Sequence, residues 1–317
     1  MIEKKPDDKV KSEFIFSLAV SSGFPEDAVC FAATSTGLSR STDGGHNWCD
    51  AYLNLKSKDP LPTSAVALSP NFKSDKSIFA GVPGGILRST DGGLNWFLSN
   101  LPSPPPFISA LKISPNYTHD GTLLVSTLED GVFRSVDRGR IWTSSNFGLL
   151  DLNVLCLSIS PEFSSDEIIF AGTDSGVFRS TNGGRSWRET SFHSDWGPVL
   201  SLVVSPDFMN DGSVLVGTEA HGLWITQNRG DIWSPLGEGQ LTDPINTIIM
   251  GPEKPVRSIL ILNGDSLFYS DNNGQDWCDW SFSASPTPGI VAVAAPDGIE
   301  TGAKLILGLA DGNVVWT

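Results

Sequence analysis

The chain has 317 residues and a formal net charge of −15, which argues against nucleic acid as the main partner because phosphate binding needs a positive field. Hydrophobic residues make up 39% of it, and the length suits two average domains or one large all-β unit. The first residues lack the apolar core of a signal peptide, and no apolar stretch reaches the ~18 residues of a membrane span. We therefore expect a cytoplasmic protein without membrane insertion, unless an export signal has been removed.

One eight-residue motif, S/T-x-D/N-x-G-x-x-W, occurs six times at spacings of 44 to 48 residues. Its acidic or amide positions are Asp43, Asp91, Asp137, Asn182, Asn228 and Asn272. Its tryptophans are Trp48, Trp96, Trp142, Trp187, Trp233 and Trp277. In such a turn the Asp or Asn accepts backbone hydrogen bonds, the Gly permits a positive φ and the Trp covers an apolar core. Because an active site is normally built once, six copies of one residue set predict a structural role.

Each copy of the motif closes a longer unit of short apolar runs. In the fourth unit the run 154–159 is followed by a Ser160-Pro161 turn, the run 168–172, a Gly-containing turn and the run 177–180. β-Branched residues punctuated by turn residues at this spacing are typical of strands. Four strands in about 45 residues predict one blade of a β-propeller.

Seven inner-strand segments, near residues 16, 65, 109, 154, 199, 246 and 290, predict an all-β, seven-bladed propeller that forms a single domain over 1–317. The expected blades are 14–55, 63–101, 107–147, 153–192, 198–238, 245–283 and 289–317. The chain ends in the third strand of the seventh blade. We expect residues 1–5 to supply the outer strand and close the ring, which removes an open edge.

The motif resembles the Asp box, or bacterial neuraminidase repeat, and the resemblance covers nearly the whole chain. It is specific for the fold and not for one function, since similar repeats occur in sialidases, xyloglucanases, sortilin-type receptors and photosystem II assembly factors. The form GVFRSTNGGRSW at residues 176–187, in one seven-bladed ring, looks most similar to the assembly-factor group and its bacterial relatives. That resemblance implies a non-enzymatic propeller.

Sequence motifs for catalysis are absent: there is no H-E-x-x-H, G-x-S-x-G, P-loop or dinucleotide-binding pattern. The four histidines, which fall in different blades, are His46, His119, His193 and His221. We therefore expect no metal site, no cofactor and no catalytic residues. A sialidase-like site would need clustered arginines, but the repeated arginines occupy one slot in four blades and are expected to pack on the outer half of each. They are Arg40, Arg88, Arg134 and Arg179.

Turn positions assign residues to the two faces of the ring. With strands lettered a to d from the axis outward, the b–c turns and d–a loops share one face, and the a–b and c–d turns share the other. The acids of the b–c turns are Asp130, Asp174, Glu219, Asp265 and Asp311. The d–a loops add Phe107, Leu149 and Trp196 as an exposed apolar rim. The opposite face is expected to be mixed or locally basic, since Arg138, Arg140, Arg185 and Arg229 lie in c–d turns.

These features favour a non-enzymatic binding or assembly scaffold that engages a protein or peptide partner through the b–c/d–a face, alone or as a subunit of a larger machine. The rival hypothesis is a glycoside hydrolase that uses two carboxylates of the same face, which keeps a carbohydrate ligand open. Two purely structural interpretations of these residues remain open. The acids can be ordinary turn residues, and the d–a loops can fold back on the blade edges.

Overall fold

The computed structural model describes residues 13–57, 59–102, 106–253, 256–280, 286–300 and 302–317. These residues form seven antiparallel sheets in which sequence neighbours pair in order. The inner strands of consecutive sheets contact one another, and the inner strand of the last sheet contacts that of the first. The sheets therefore close into a ring, and the prediction of a seven-bladed β-propeller is confirmed.

The first four blades each contain four strands. Blade 1 is β1 (Ile15–Val20), β2 (Cys30–Thr34), β3 (Leu38–Ser41) and β4 (Cys49–Asp50). Blade 2 is β5 (Ala65–Leu68), β6 (Ile78–Val82), β7 (Gly85–Ser89) and β8 (Phe97–Asn100). Blade 3 is β9 (Phe107–Ile113), β10 (Leu123–Leu128), β11 (Gly131–Ser135) and β12 (Thr143–Ser144). Blade 4 is β13 (Val154–Ile159), β14 (Ile169–Thr173), β15 (Val177–Ser180) and β16 (Arg188–Glu189).

The ring continues with two more four-stranded blades and a seventh that has three described strands. Blade 5 is β17 (Val199–Val204), β18 (Val214–Thr218), β19 (Leu223–Thr226) and β20 (Ser234–Leu236). Blade 6 is β21 (Ile245–Glu253), β22 (Arg257–Asn263), β23 (Ser266–Ser270) and β24 (Cys278–Asp279). Blade 7 is β25 (Ile290–Ala294), β26 (Ile306–Leu309) and β27 (Val314–Trp316). The predicted fourth strand of blade 7, residues 1–5, lies outside the described residues.

The six repeated c–d turns share one hydrogen-bond pattern. In blade 1 the Ser41 hydroxyl donates to Asp43 Oδ1 at 2.8 Å and accepts from the Gly45 N–H at 2.8 Å. Gly45 has a φ of 87°, a conformation that glycine adopts at little cost. The same three-residue arrangement recurs at Ser89–Gly93, Ser135–Gly139, Ser180–Gly184, Thr226–Gly230 and Ser270–Gly274. The motif therefore builds the turn in every blade that carries it.

Four Ser-Pro segments, and the equivalent segment 21–27 of blade 1, form single helical turns, where the sequence predicts turns alone. They are α1 (Phe24–Asp27), α2 (Phe72–Asp75), α3 (Tyr117–Asp120), α4 (Phe163–Asp166) and α5 (Phe208–Asp211). In blade 2 the Ser69 hydroxyl donates to Asp75 at 2.6 Å, and Asp75 accepts the Ser77 N–H at 2.8 Å. The aromatic residue at the start of each turn is buried, which fastens the turn to the blade.

Adjacent blades are tied by side chains that cross between them. The Arg179 guanidinium donates to the Arg229 carbonyl and lies 3.2 Å from Asp231 Oδ1, so it reaches blade 5 and does not pack on its own blade alone. Near the axis, the Ser201 hydroxyl donates to the Ile245 carbonyl at 2.6 Å. Farther out, beside the fourth strands β8 and β4, the Trp96 indole donates to the Ala51 carbonyl at 2.9 Å. These bonds hold each blade in place relative to its neighbour.

Candidate functional site

The structure places all five predicted acids in b–c turns, and therefore on one face of the ring. Asp130 lies between β10 and β11, Asp174 between β14 and β15, and Glu219 between β18 and β19. Asp265 and Asp311 occupy the same turns of blades 6 and 7. Asp174, Glu219, Asp265 and Asp311 are exposed, and Asp130 is half-buried. The turns thus present a set of carboxylates toward solvent around the axis.

The described part of the b–c/d–a face carries many carboxylates and almost no bases. Its acids in the described turns, loops and first residue are Glu13, Asp59, Glu129, Asp130, Asp151, Asp174, Asp195, Glu219, Glu238, Asp243, Asp265 and Asp311. Lys56 is the only lysine or arginine in the described part of these segments, and Lys58 follows it in the sequence. The two faces differ in their number of lysines and arginines, because carboxylates are numerous on both.

The a–b/c–d face pairs several of its acids with basic side chains. Its lysines and arginines include Lys73, Lys76, Arg138, Arg140, Arg185, Arg229 and Lys304. The ion pairs that lysines and arginines form among the described residues include Lys73–Glu26, Arg179–Asp231, Arg185–Glu167 and Arg257–Asp211, whose acids lie on that face. On the described part of the b–c/d–a face the carboxylates have few basic side chains near them in the turns and loops, whereas on the a–b/c–d face acids and bases are mixed.

Asn153 joins the acidic turns of blades 3 and 4. Its Nδ2 donates to Asp174 Oδ2 at 2.9 Å, and its Oδ1 accepts from the Glu129 N–H at 2.9 Å. Beside it, Asp151 accepts the Ser175 N–H at 2.9 Å and the Ser175 hydroxyl at 2.8 Å. Burial alone would raise the pKa of Asp151, but the hydrogen bonds from Ser175 and Asn153 outweigh it and hold the pKa below its ordinary value. This part of the face is a fixed anionic surface, and Asp151 is a member that the b–c pattern misses.

The three predicted rim residues differ in exposure. Phe107 is 56% exposed and remains a rim residue. Leu149 is only 6% exposed, because the Leu149 N–H bonds to the Asn146 carbonyl in a turn that directs the side chain into the core of blade 4. The expectation of an exposed Leu149 is therefore wrong. Its loop instead exposes Phe147 at 81% and Leu150 at 80%.

Trp196 is half-buried in an aromatic cluster. Its ring stacks on Trp224 at a centroid distance of 3.9 Å and an angle of 18°. Phe192 packs edge-on beneath it at 5.3 Å. The short 3₁₀ turn Ser194–Trp196 thus lays the indole over blade 5, so this loop folds back on a blade edge while leaving part of the ring accessible.

An apolar pocket of about 160 Å³ opens on the same face, close to the axis. It is lined by Phe16, Pro62, Ser64, Val82, Pro83, Pro106, Phe107 and Ile108. The lining comes from blades 1, 2 and 3, and three consecutive blades can share one pocket only near the centre of the ring. Phe16, which is 48% exposed, was not predicted as a site residue. The pairing of β1 with β2 shifts between Ile15 and Ser17, and such an irregularity releases a side chain from the strand's alternation.

The described residues contain neither a cluster of metal-binding side chains nor a helix that could span a membrane. No group of three or more His, Cys, Asp or Glu side chains in the described ranges converges to hold a metal ion. Within the same ranges, no helix has the length and apolar character needed to cross a membrane.

No protein-family model matches the chain, and no curated protein matches it. Solved structures do. YCF48 bound to D1 peptide is 16% identical with a TM-score of 0.69, over 96% of this chain and 91% of that one. An ancestral GH74 enzyme is 17% identical with a TM-score of 0.71, over 96% of this chain and 44% of that one.

The extracellular domain of a putative one-component system from B. thetaiotaomicron is 14% identical with a TM-score of 0.71, over 97% of this chain and 38% of that one. The chain therefore spans less than half of two of these proteins and most of the YCF48 chain. At such identities the likeness shows the propeller fold alone.

Proposed function

We propose that this protein is a non-enzymatic binding or assembly scaffold whose b–c/d–a face engages a basic segment of a protein or peptide partner. The observation that carries the proposal is the set of carboxylates on the described part of that face, where Lys56 is the only lysine or arginine of the turns and loops, beside exposed Phe107, Phe147 and Leu150. A surface that joins unneutralised charge to apolar side chains suits a protein contact. The likeness to YCF48 bound to D1 peptide supports the same class of function.

Charge reversal tests the proposal directly. Affinity capture from the native host followed by mass spectrometry supplies a partner, and association kinetics are then measured at low and physiological ionic strength. The double variant Asp174→Lys/Glu219→Lys should slow association and flatten its salt dependence, because exposed charges act over ~8 Å at physiological salt. The matched control is Asp271→Lys/Glu162→Lys, which changes the net charge equally on the a–b/c–d face. If the control pair, or Arg140→Glu with Arg185→Glu, causes the loss instead, the site is on the other face and the proposal fails.

A glycoside hydrolase is the second candidate, because a GH74 enzyme shares the fold and carboxylates line the b–c turns here. Such an enzyme needs two carboxyl groups at ~5–9.5 Å on either side of a glycosidic bond. A panel of glycosides, including xyloglucan, separates the two functions. Turnover that is lost in Asp174→Asn or Glu219→Gln would replace the scaffold proposal.

A further inference from the structure

The pocket formed by blades 1 to 3 has apolar walls and almost no polar group of its own. Its floor is Ile108 and Val82, which are 2% and 3% exposed, and its open rim is Phe16 and Phe107. Ser64 supplies the one side-chain hydroxyl of the lining, and that hydroxyl is directed at the Gly81 carbonyl, 3.5 Å away. A sugar would find few hydrogen-bonding groups here, whereas an apolar side chain needs no hydrogen bonds and would fit.

The size of the pocket limits its occupant. At about 160 Å³ it is close to the ~150 Å³ apolar cavity that accepts a benzene molecule in another protein. It can therefore take one aromatic ring or one branched aliphatic side chain. Three of its walls are prolines, Pro62, Pro83 and Pro106, whose fixed φ leaves little backbone freedom to lose on binding. The pocket is thus already shaped before any ligand arrives.

The charge of the surface around the pocket indicates which residues flank the apolar side chain of the ligand. No residue of the lining is charged, but the b–c/d–a face around it is rich in carboxylates, and Lys56 is the only lysine or arginine in its described turns and loops. A segment that places an acidic residue beside its apolar anchor would be repelled, and one with lysine or arginine there would be attracted.

We propose that this pocket anchors one aromatic or branched aliphatic side chain of a partner segment, and that the surrounding carboxylates hold the lysines or arginines that flank it. The proposal rests on the proposed function, since it names the subsite and the chemistry of the partner of the same face.

The test begins with selection of binders from a random peptide display library on the wild-type protein. The expected binders share an aromatic or branched aliphatic residue with neighbouring lysine or arginine. Binders that are basic but share no apolar residue would overturn the pocket and leave the scaffold standing. Binders without basic residues, or no binders, would overturn both.

One selected peptide, labelled for fluorescence anisotropy, then enters a double-mutant cycle. Phe107→Ser should weaken its binding about tenfold, and so should replacing its apolar residue by serine. The two changes together should weaken binding little more than either alone, because both remove the same contact. The control Phe97→Ser, at an exposed phenylalanine of the outer strand β8 and outside the b–c/d–a face, should leave the affinity nearly unchanged.

Other outcomes would overturn the pocket proposal. Independent, additive losses would show that Phe107 and the peptide anchor do not meet, and an equal loss from Phe97→Ser would show that the effect is not specific to the pocket. Phe16→Ser repeats the test on the opposite rim in case Phe107→Ser does not fold. If removing residues 1–12 greatly raises the affinity for the peptide, that segment is the occupant of the pocket. If the protein self-associates and Phe107→Ser abolishes this, the occupant is a second copy of the chain. If Asp174→Lys/Glu219→Lys abolishes binding while Phe107→Ser and Phe16→Ser do not change it, the scaffold stands and the pocket fails.

Discussion

The indole nitrogen of Trp316 donates a hydrogen bond of 2.8 Å to the carbonyl oxygen of Gly44, and so joins the last strand to the first blade. Trp316 pairs with Ile306 as Ser41 pairs with Cys30, so it stands in the slot that holds the turn serine in other blades. Its ring also lies 6.0 Å from that of Phe24, measured between centroids. The seam between blades 7 and 1 is therefore closed by a residue that the repeat does not supply elsewhere.

Replacing Trp316 should loosen this seam. We expect Trp316→Ala to lower the free energy of unfolding by about 2–3 kcal/mol, because it removes a half-buried ring and a hydrogen bond. Trp316→Phe keeps most of the packing and should lose about 1 kcal/mol. Denaturant titration measures both. If the two variants unfold like the wild type, Trp316 does not close the ring.

Removing residues 1–12 tests whether the N-terminal segment completes blade 7. The Glu13 carbonyl lies against Gly312 in the b–c turn of that blade. From that turn, between the second and third strands, the fourth-strand position is one to two strand spacings away, about 5–10 Å, and residues 6–12 can span up to about 23 Å. Residues 1–5 can thus reach the edge of β27, and we expect their loss to lower the melting temperature by about 5 °C or more. Deleting residues 1–5 alone should reproduce most of the shift, and an unchanged melting temperature would refute the closure.

The aspartates of the c–d turns should make stability depend on acid pH. Partial burial alone would raise the pKa of Asp137, but hydrogen bonds from the Ile141 N–H, the Ser135 hydroxyl and the Arg140 N–H outweigh it and hold the pKa below its ordinary value. Its stabilising contribution is then present above the unfolded pKa of ~3.9 and is lost as the pH falls through the folded pKa. Blade 5 carries Asn228 in this slot, so Asp137→Asn should still fold.

We expect Asp137→Asn to be less stable than the wild type at neutral pH, with a difference that shrinks as the pH falls below about 4. Thermal melts across the acid range measure it. A difference that grows on acidification would show that the sign of the linkage is reversed.

Leu149 and Leu150 form a matched pair that tests the course of their loop. Leu149 is 6% exposed and packs in a core cluster, whereas Leu150 is 80% exposed. Leu149→Ala should therefore cost about 2–4 kcal/mol, and Leu150→Ala less than about 0.5 kcal/mol. If Leu150→Ala lowers the free energy of unfolding more than Leu149→Ala does, then Leu149 is the exposed residue of the loop.

The repeat period predicts the blades and the placement of the acids, because each b–c turn recurs at the same point of a four-strand unit. The same period does not separate Leu149 from Leu150, since neighbouring leucines in a loop carry no alternation. It also misses Phe16, whose exposure depends on a local shift in strand pairing. The sequence also does not predict the contact of Arg179 with blade 5. A repeated position shows where a residue lies in its own blade but not what it contacts in the next blade.

The a–b/c–d face has near rotational symmetry about the axis, since one type of helical turn recurs five times and one type of c–d turn six times. A partner docking there would meet nearly equivalent orientations one blade apart. The b–c/d–a face breaks that symmetry, because the loop between β4 and β5 spans residues 51–64 while the loop between β8 and β9 spans only 101–106. A partner seated on those unequal loops would have a single rotational setting about the axis.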